Sequence, residues 1–130
     1  MDFNLPIGMC NEINRVAEKN ACTGHLGKGD RALVFATPVM IGWMEEASYT
    51  AIRPGLPKGF DSVGINVTVD HLAPTPLGMS VRIVSELIEV KGKILTFKVR
   101  AYDEKDKIAS GTHTRAIVET EKFLDMVNKK

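Results

Sequence analysis

The sequence predicts an α+β fold in which an antiparallel sheet of about five strands wraps around one long central helix. Two observations favour this fold class. Apolar residues recur at helical spacing in one segment, and from Asp61 onward they recur at every second position, as in strands with one buried face. With 130 residues the chain is long enough to bury a core, and we expect a single domain over residues 1–130.

The segment before the helix is predicted to contain an edge strand and a loop. Residues 8–23 mix apolar and polar side chains in no strict period, and we interpret them as the edge strand. Residues 24–30 contain three glycines, a histidine and two charged side chains, which is typical of a mobile loop. This edge strand completes the five predicted strands.

The helix is predicted to begin at Thr37 and Pro38 and to end at Arg53, before Pro54 and Gly55. A threonine hydroxyl accepts a free backbone N–H at a helix start, and proline loses no hydrogen bond at the first helical position. The helix spans about 16 residues, or roughly 24 Å at 1.5 Å per residue. One apolar face follows the helical spacing: Met40, Trp43, Met44, Ala47 and Ala51.

Four strands with a period of two are predicted after the helix. The first begins at Asp61 and is interrupted by Pro74, and the others cover residues 81–90, 94–103 and 108–119. We expect these four strands to form consecutive antiparallel hairpins. The predicted inner face of the first strand consists of its odd-numbered residues: Val63, Ile65, Val67 and Val69. A second copy would cover the exposed rim of the sheet, so we expect a homodimer, with a tetramer left open.

Charge and cysteine content narrow the functional classes. Seventeen Lys and Arg residues and sixteen Asp and Glu residues give a net charge of +1 with both signs interspersed, which argues against a nucleic-acid binder. Cys10 and Cys22 lack metal-ligand spacing, so we expect two reduced thiols and no metal. The chain contains no apolar run of about 18 residues and no targeting pattern, so we expect a cytoplasmic protein without membrane contact.

Three polar residues are candidates for catalysis: Thr37, Glu45 and His71. A hydroxyl at a helix N-terminus lies beside free N–H groups, where it can bind or attack a polarised carbonyl. An imidazole exchanges a proton near neutral pH, and a carboxylate that borders a cleft can act as a base. Each residue also has a structural interpretation: Thr37 as a cap, Glu45 as a solvated acid and His71 as a buried, hydrogen-bonded histidine.

Three further candidates lie on the predicted strands. Gly64 interrupts a run of β-branched residues, and a strand glycine often marks a bulge or a ligand that approaches the backbone. Its N–H can stabilise an oxyanion. His113 and Arg115 share the inner face of the last strand, and we interpret His113 as structural and Arg115 as a salt-bridge partner.

Three motifs carry a family resemblance: residues 34–40 (VFATPVM) with Glu45 nearby, residues 67–76 (VTVDHLAPTP) and residues 110–116 (SGTHTRA). In this order they resemble the fluoroacetyl-CoA thioesterase-like family of hotdog-fold acyl-CoA thioesterases. The intervals of eight residues from Thr37 to Glu45 and of twenty-six from Glu45 to His71 also match the family. The similarity covers about residues 8–125, nearly the whole chain.

The resemblance implies a hotdog fold and hydrolysis of a short-chain acyl-CoA thioester to the free acid and CoA. It implies that Thr37, Glu45 and His71 are catalytic, that the Gly64 N–H contacts the thioester carbonyl, and that Arg115 belongs to the active site. It also implies a site at the dimer interface and no cofactor, since CoA is part of the substrate. Residues 24–30 contain no aromatic residue to cover a fluoroacetyl group, so we do not extend fluoroacetyl selectivity to this chain.

Two other functions remain open. An acyl-thioester hydratase on the same fold would use an acid and a histidine from one helix or a neighbouring loop, whereas the candidate acid and histidine here lie far apart in sequence. A non-catalytic acyl-CoA sensor or binding protein has no need for Thr37, Glu45 and His71 together. Release of free thiol separates the thioesterase from both.

Overall fold

The structure is a computed structural model that describes residues 3–23 and 33–130. The predicted loop at residues 24–30 lies outside the described residues. In chain order the described elements are β1 (Cys10–Val16), α1 (Thr37–Ile52), β2 (Phe60–His71), β3 (Ser80–Lys91), β4 (Ile94–Tyr102), β5 (Lys107–Glu119) and α2 (Thr120–Val127). The segment interpreted as an edge strand does contain β1, which is shorter than residues 8–23.

The five strands form one antiparallel sheet in the order β1-β3-β4-β5-β2. The strands β3, β4 and β5 are consecutive hairpins as expected, but β2 pairs with β5 and β1 pairs with β3. The prediction of a hairpin between the first two strands after the helix is therefore wrong. Pro74 and Pro76 lie in that connection, where they cannot donate backbone hydrogen bonds, and the chain crosses instead to the other side of the sheet.

The helix α1 packs its apolar face against the sheet, mainly against β3 and β1. It begins at Thr37 and ends at Ile52, followed by one 3₁₀ turn at Arg53–Gly55. The prediction that Thr37 caps the helix is wrong, because Ala36 holds the N-cap position and no side chain caps the first turn. The buried residues of α1 are Met40, Met44, Ala47, Ser48, Ala51 and Ile52.

A single hydrophobic core lies between α1 and the concave face of the sheet. The three central strands supply 10 of the 22 buried residues of this core, most of them at alternate positions as the period of two predicted. Burial of this apolar surface is the main force that holds helix and sheet together. These strand residues are Val81, Ile83, Leu87, Leu95, Phe97, Val99, Ala101, Ile108, Ala109 and Ile117.

The edge strand β2 contains a bulge. Its pairing with β5 shifts between Gly64 and Asn66, so Ile65 is an extra residue in the strand. An extra residue reverses the alternation of inner and outer side chains. Ser62, before the bulge, is buried, whereas Ile65 is 53% exposed. The prediction that Val63 and Ile65 face inward is therefore wrong, whereas Val67 and Val69 follow the bulge on the predicted face and the bulge that Gly64 indicated is present.

The short helix α2 was not predicted from the sequence. It follows β5 directly and leaves no residue buried in the described chain. Neither helix in residues 3–23 and 33–130 combines the length and apolar character that a transmembrane crossing requires.

Candidate active site

The first turn of α1 and the end of β2 bring Thr37 and His71 together. The Thr37 Oγ1 lies 2.7 Å from the His71 Nδ1, a hydrogen-bond distance. The other ring nitrogen of His71, Nε2, is buried and has no hydrogen-bond partner in the described residues. Burial lowers the pKa of His71, so the imidazole is neutral at neutral pH and able to accept a proton.

Thr37 and His71 lie on the wall of a mostly apolar hollow of about 350 Å³. A hollow of this size suits a small acyl group beside the hydroxyl and the imidazole. The lining residues come from the segment before α1 and its first residue, from the end of β2 and the loop after it, and from Thr23. They are Thr23, Val34, Phe35, Thr37, His71, Leu72, Ala73 and Pro74.

The loop after β2 is fixed to its surroundings on both sides. The Leu72 N–H donates to the Ile108 carbonyl at 2.7 Å, and the Phe35 N–H donates to the Thr75 carbonyl at 2.8 Å. The buried Thr75 hydroxyl donates to Asp103 Oδ2 at 2.9 Å. The loop that carries one wall of the hollow is thus held in place next to His71.

A second cluster forms around Gly64, where Glu45, His113 and Arg115 converge. A Cβ added to Gly64 would lie 3.3 Å from His113 Cε1, 3.5 Å from Arg115 Nη1 and 3.6 Å from Glu45 Oε2. Glu45 is half-buried and faces this cluster, so its interpretation as a solvated acid does not hold. A glycine is needed here because a side chain would press against the imidazole.

His113 and Arg115 are both buried on the inner face of β5. Arg115 donates from Nε to the Ser62 hydroxyl and from Nη2 to the Ser62 carbonyl, both at 2.9 Å. No acid in the described residues lies within ion-pair distance of Arg115, so the expected salt bridge is replaced by these hydrogen bonds. Burial lowers the pKa of Arg115, and the nearby Glu45 carboxylate opposes that effect.

His113 has a defined protonation state. Its Nδ1 lies 2.7 Å from the Asn66 carbonyl oxygen, which only accepts, so Nδ1 carries a proton. Its Nε2 lies 3.2 Å from Arg115 Nη1, which only donates, so Nε2 is the acceptor. Burial lowers the pKa of His113, in agreement with this neutral form.

The structure therefore brings the predicted site residues together in two groups. Thr37 and His71 form one, and Glu45, Gly64 and Arg115 form the other. Thr37 and Glu45 are eight residues apart on α1, which separates them by about 12 Å along the helix axis. Among the described residues, Thr37 and His71 line the hollow and Glu45 does not.

Ser62 was missed as a member of the second group. It accepts two hydrogen bonds from Arg115 and is 4% exposed. The alternation of the strand assigned Ser62 to the outer face, and the sequence contains no signal for the reversal at the bulge other than Gly64.

Comparison with known proteins gives one consistent picture. The model of the family described as fluoroacetyl-CoA-specific thioesterase matches residues 16–121. The fluoroacetyl-CoA thioesterase of Streptantibioticus cattleyicolor is 44% identical over 97 residues, which are 75% of this chain and 70% of that protein.

Two solved structures are similar over almost the entire chain. The structure of the fluoroacetyl-CoA thioesterase FlK is 36% identical, with a TM-score of 0.89 and 98% of each chain covered. The hot-dog-like protein from Thermanaerovibrio acidaminovorans is 26% identical, also with a TM-score of 0.89, over 99% of this chain and 96% of that chain.

Proposed function

This chain belongs to the fluoroacetyl-CoA-specific thioesterase family, and we propose that it hydrolyses a short acyl-CoA thioester to the free acid and CoA. Its fold is the hotdog fold. The observation that carries the proposal is the hydrogen bond between Thr37 and His71 on the wall of a small apolar hollow. The hollow suits a short acyl group, and the neutral imidazole is ready to take a proton from the hydroxyl or from a water molecule.

The proposed reaction assigns each group one role. His71 accepts the proton of the attacking hydroxyl, from Thr37 or from water, as the new carbon–oxygen bond forms. The Gly64 N–H stabilises the negative charge that develops on the thioester oxygen. The carbon–sulfur bond then breaks, and the imidazolium of His71 returns the proton to the CoA thiolate. If Thr37 is the nucleophile, its oxygen now carries the acyl group, and a water molecule that gives a proton to His71 attacks this ester and releases the free acid as the proton returns to Thr37. Glu45 orients His71 and polarises the attacking hydroxyl of Thr37 or of water. Arg115 lies beside Gly64 and supports that part of the site.

We propose that a homodimer completes this site, because one chain holds its parts too far apart. Glu45 lies about 12 Å along α1 from Thr37, beyond the reach of either side chain. The buried Nε2 of His71 has no partner in the described residues of its own chain. A second copy supplies the missing groups if its Gly64 cluster faces the Thr37–His71 pair of the first.

The edge strand β2 offers the surface for this pairing. It is 12 residues long and pairs on one side only, with β5, in the described chain. In a register that pairs two β2 strands antiparallel about a two-fold axis at Val67, the His71 end of one copy lies beside the Gly64 bulge of the partner's β2. This register brings the two groups of site residues together twice in each dimer and covers the exposed edge.

The proposal extends to the cell compartment and to the organisation of the chain. Cys10 carries an exposed thiol outside any disulfide, which fits a cytoplasmic protein. The described residues share one core and one sheet, which supports a single domain over residues 1–130. The reaction as proposed needs no cofactor besides the CoA of the substrate.

Thiol release from acetyl-, propionyl- and butyryl-CoA tests the proposed function. We expect the natural protein to release thiol and the His71→Ala variant to lose at least about 100-fold in kcat, because a positioned proton acceptor contributes roughly 10²- to 10⁴-fold. The Glu46→Gln variant is a matched control for Glu45→Gln. Glu46 is exposed and forms an ion pair with Arg15, whereas Glu45 faces the cluster around Gly64. We expect Glu45→Gln to lose activity and Glu46→Gln to keep it.

Two outcomes would contradict the thioesterase. Binding of acyl-CoA without thiol release above background, in the natural protein and in His71→Ala alike, would identify a sensor. Consumption of an enoyl-CoA chromophore without thiol release would identify a hydratase.

A further inference from the structure

We infer that His113 is a positioning residue which, together with Arg115, holds the β2 bulge in place and so fixes the backbone of Gly64. The inference rests on the proposed function, because it concerns the N–H group that would stabilise the thioester oxygen. His113 takes no part in the proton transfers of the proposed reaction.

Two side chains of β5 hold the carbonyl groups on either side of Gly64. The His113 Nδ1–H donates to the Asn66 carbonyl at 2.7 Å, two residues after Gly64. The Arg115 Nη2 donates to the Ser62 carbonyl at 2.9 Å, two residues before it. In a bulge the regular ladder between strands is interrupted, so these side-chain hydrogen bonds replace part of its restraint.

The hydrogen bonds of Arg115 and His113 run in one direction, from the guanidinium through the imidazole to the backbone carbonyl. Arg115 Nη1 donates to His113 Nε2 at 3.2 Å, and His113 Nδ1 donates in turn to the Asn66 carbonyl. Because a guanidinium cannot accept, and a carbonyl cannot donate, the imidazole between them is held in one tautomer and one orientation. Both side chains are almost fully buried, so water does not compete for these groups.

The imidazole also sets the depth at which the Gly64 backbone lies. On one side, its Cε1 would be 3.3 Å from a Cβ on Gly64. On the other side, the ring stacks on Phe97, with 6.2 Å between ring centroids. The imidazole therefore lies in contact with both the bulge and Phe97, and a side chain at Gly64 would require the ring to shift by a few tenths of an ångström.

This arrangement predicts a specific kinetic effect. The charge on the thioester oxygen develops in the transition state, so a displaced N–H lowers kcat and leaves substrate binding almost unchanged. Loss of one donor to such an oxygen costs about 10²- to 10³-fold in kcat, and displacement of the donor costs less, about 10- to 100-fold. A residue that only stabilises the fold would instead lower the amount of active protein, with no change in the kcat of the folded fraction.

The experiment compares three substitutions of His113 by thiol release from acetyl-CoA, with kcat normalised to the folded fraction. His113→Phe fills the same volume without polar atoms, and we expect kcat to fall by about 10- to 100-fold with KM within about threefold of the natural value. His113→Asn places an N–H near the position of Nδ1, so we expect it to recover most of kcat. His113→Gln keeps a polar group near Arg115 but has no N–H at the position of Nδ1 that could donate to the Asn66 carbonyl. We therefore expect the same loss of kcat as in His113→Phe.

Thr112→Val is the matched control, because Thr112 is the exposed neighbour on the outer face of β5. We expect it to keep the natural kcat and KM. The inference is overturned if His113→Phe or His113→Gln keeps the natural kcat. It is also overturned if His113→Asn and His113→Gln lose kcat equally. The proposed function stands in both cases. If His113→Phe does not fold, the contrast between Asn and Gln decides. Absence of thiol release by the natural protein overturns the proposed function and this inference with it.

Discussion

The hydroxyl of Thr37 is hydrogen-bonded to the imidazole of His71 and not to the helix that begins at Thr37. Ala36 holds the N-cap position and has no polar side chain, so the helix starts without a side-chain cap, and Pro38 follows within the first turn, where a missing N–H costs nothing. Capping residues at such positions typically stabilise a helix by about 1 kcal/mol. That stabilisation is forgone here, and the hydroxyl is available to a proton acceptor beside the hollow.

The protonation of His71 predicts the pH dependence of the reaction. A proton acceptor works only when it is neutral, and burial lowers the pKa of His71 below its ordinary value of about 6.5. We therefore expect kcat/KM to be constant around pH 7 and to fall only below about pH 6.5. A profile of kcat/KM between about pH 4.5 and 8 measures this. An acid limb with its midpoint above about 6.5 would contradict the role of His71 as the acceptor.

The same profile needs a stability control, because His113 is also buried with a lowered pKa. A histidine with a lowered folded-state pKa binds fewer protons in the folded protein than in the unfolded one. The free energy of unfolding therefore decreases as the pH falls below about 6.5, and unfolding must be measured at each pH. Activity that declines before the protein unfolds is assigned to His71.

The candidate site residues could be proposed from the sequence, but their structural neighbours could not. Thr37, His71 and Gly64 were accessible because each departs from the local pattern of its element. Ser62 was not accessible, because its inward orientation depends on one extra residue in β2 that reverses the alternation. The salt bridge expected for Arg115 failed for the same reason, since the polar group opposite its guanidinium is Ser62.

At the scale of elements, the close approach of β2 and β5 requires Gly111. A Cβ at Gly111 would collide with the Thr68 carbonyl oxygen and lie 2.7 Å from the Val69 Cα. Both are backbone atoms and cannot move aside as a flexible side chain would. We expect Gly111→Ala to lower the free energy of unfolding by about 3 kcal/mol, measured by denaturant titration.

Gly42 provides the control for Gly111. No atom of the described chain lies within 4 Å of a Cβ added at Gly42, which is exposed on α1. We expect Gly42→Ala to keep or raise stability, by up to about 1 kcal/mol, because alanine favours a helix over glycine. Equal stability of the two alanine variants would show that the strands are not in such close contact.

The loop after β2 depends on the hydrogen bond between Thr75 and Asp103. Thr75 is fully buried, and its hydroxyl donates to a carboxylate that also accepts from the N–H groups of Lys105 and Asp106. Burial raises the pKa of Asp103, but these hydrogen bonds outweigh it, so the pKa is lowered overall. The loop and the turn between β4 and β5 are thereby coupled.

We expect Thr75→Val to lower the free energy of unfolding by about 2 kcal/mol, because the methyl group leaves the carboxylate one hydrogen bond short. Thermal and denaturant unfolding measure the effect, and Thr112→Val, on the exposed face, serves as the control. A natural stability in Thr75→Val would mean that the hydrogen bond does not hold the loop.

Strand and helix positions were predictable because hydrophobic periodicity is local. The predicted strands at residues 81–90, 94–103 and 108–119 differ from β3, β4 and β5 by one residue at most at each end. The pairing of β2 was not predictable, because it depends on where the crossover connection leads and not on the period of either strand. The helix α2 was missed because it has only eight residues and follows β5 directly; its apolar residues share one helical face, but none of them is buried in the described chain.

At the scale of the whole molecule, one chain contains two half-sites. The Thr37–His71 pair lies at the end of β2, and the Glu45–Gly64–Arg115 group lies near its middle. The sequence predicted all five residues but not this separation, which follows from the 1.5 Å rise of the helix and from the pairing of β2 with β5. If the proposed enzyme works as a homodimer, a two-fold axis at β2 brings the Thr37–His71 pair of each chain next to the Glu45–Gly64–Arg115 group of the other chain.

Activity of a mixed dimer tests this central claim most directly. His71→Ala and Glu45→Gln chains with different affinity tags are co-expressed, and the mixed dimer is isolated through both tags. If each site takes His71 from one chain and Glu45 from the other, one of the two sites is intact and we expect about half of the natural turnover per dimer, although each variant alone is inactive. A mixed dimer of natural and His71→Ala chains controls for the tags. An inactive His71→Ala and Glu45→Gln mixed dimer, alongside an active control, would contradict a site shared between two chains.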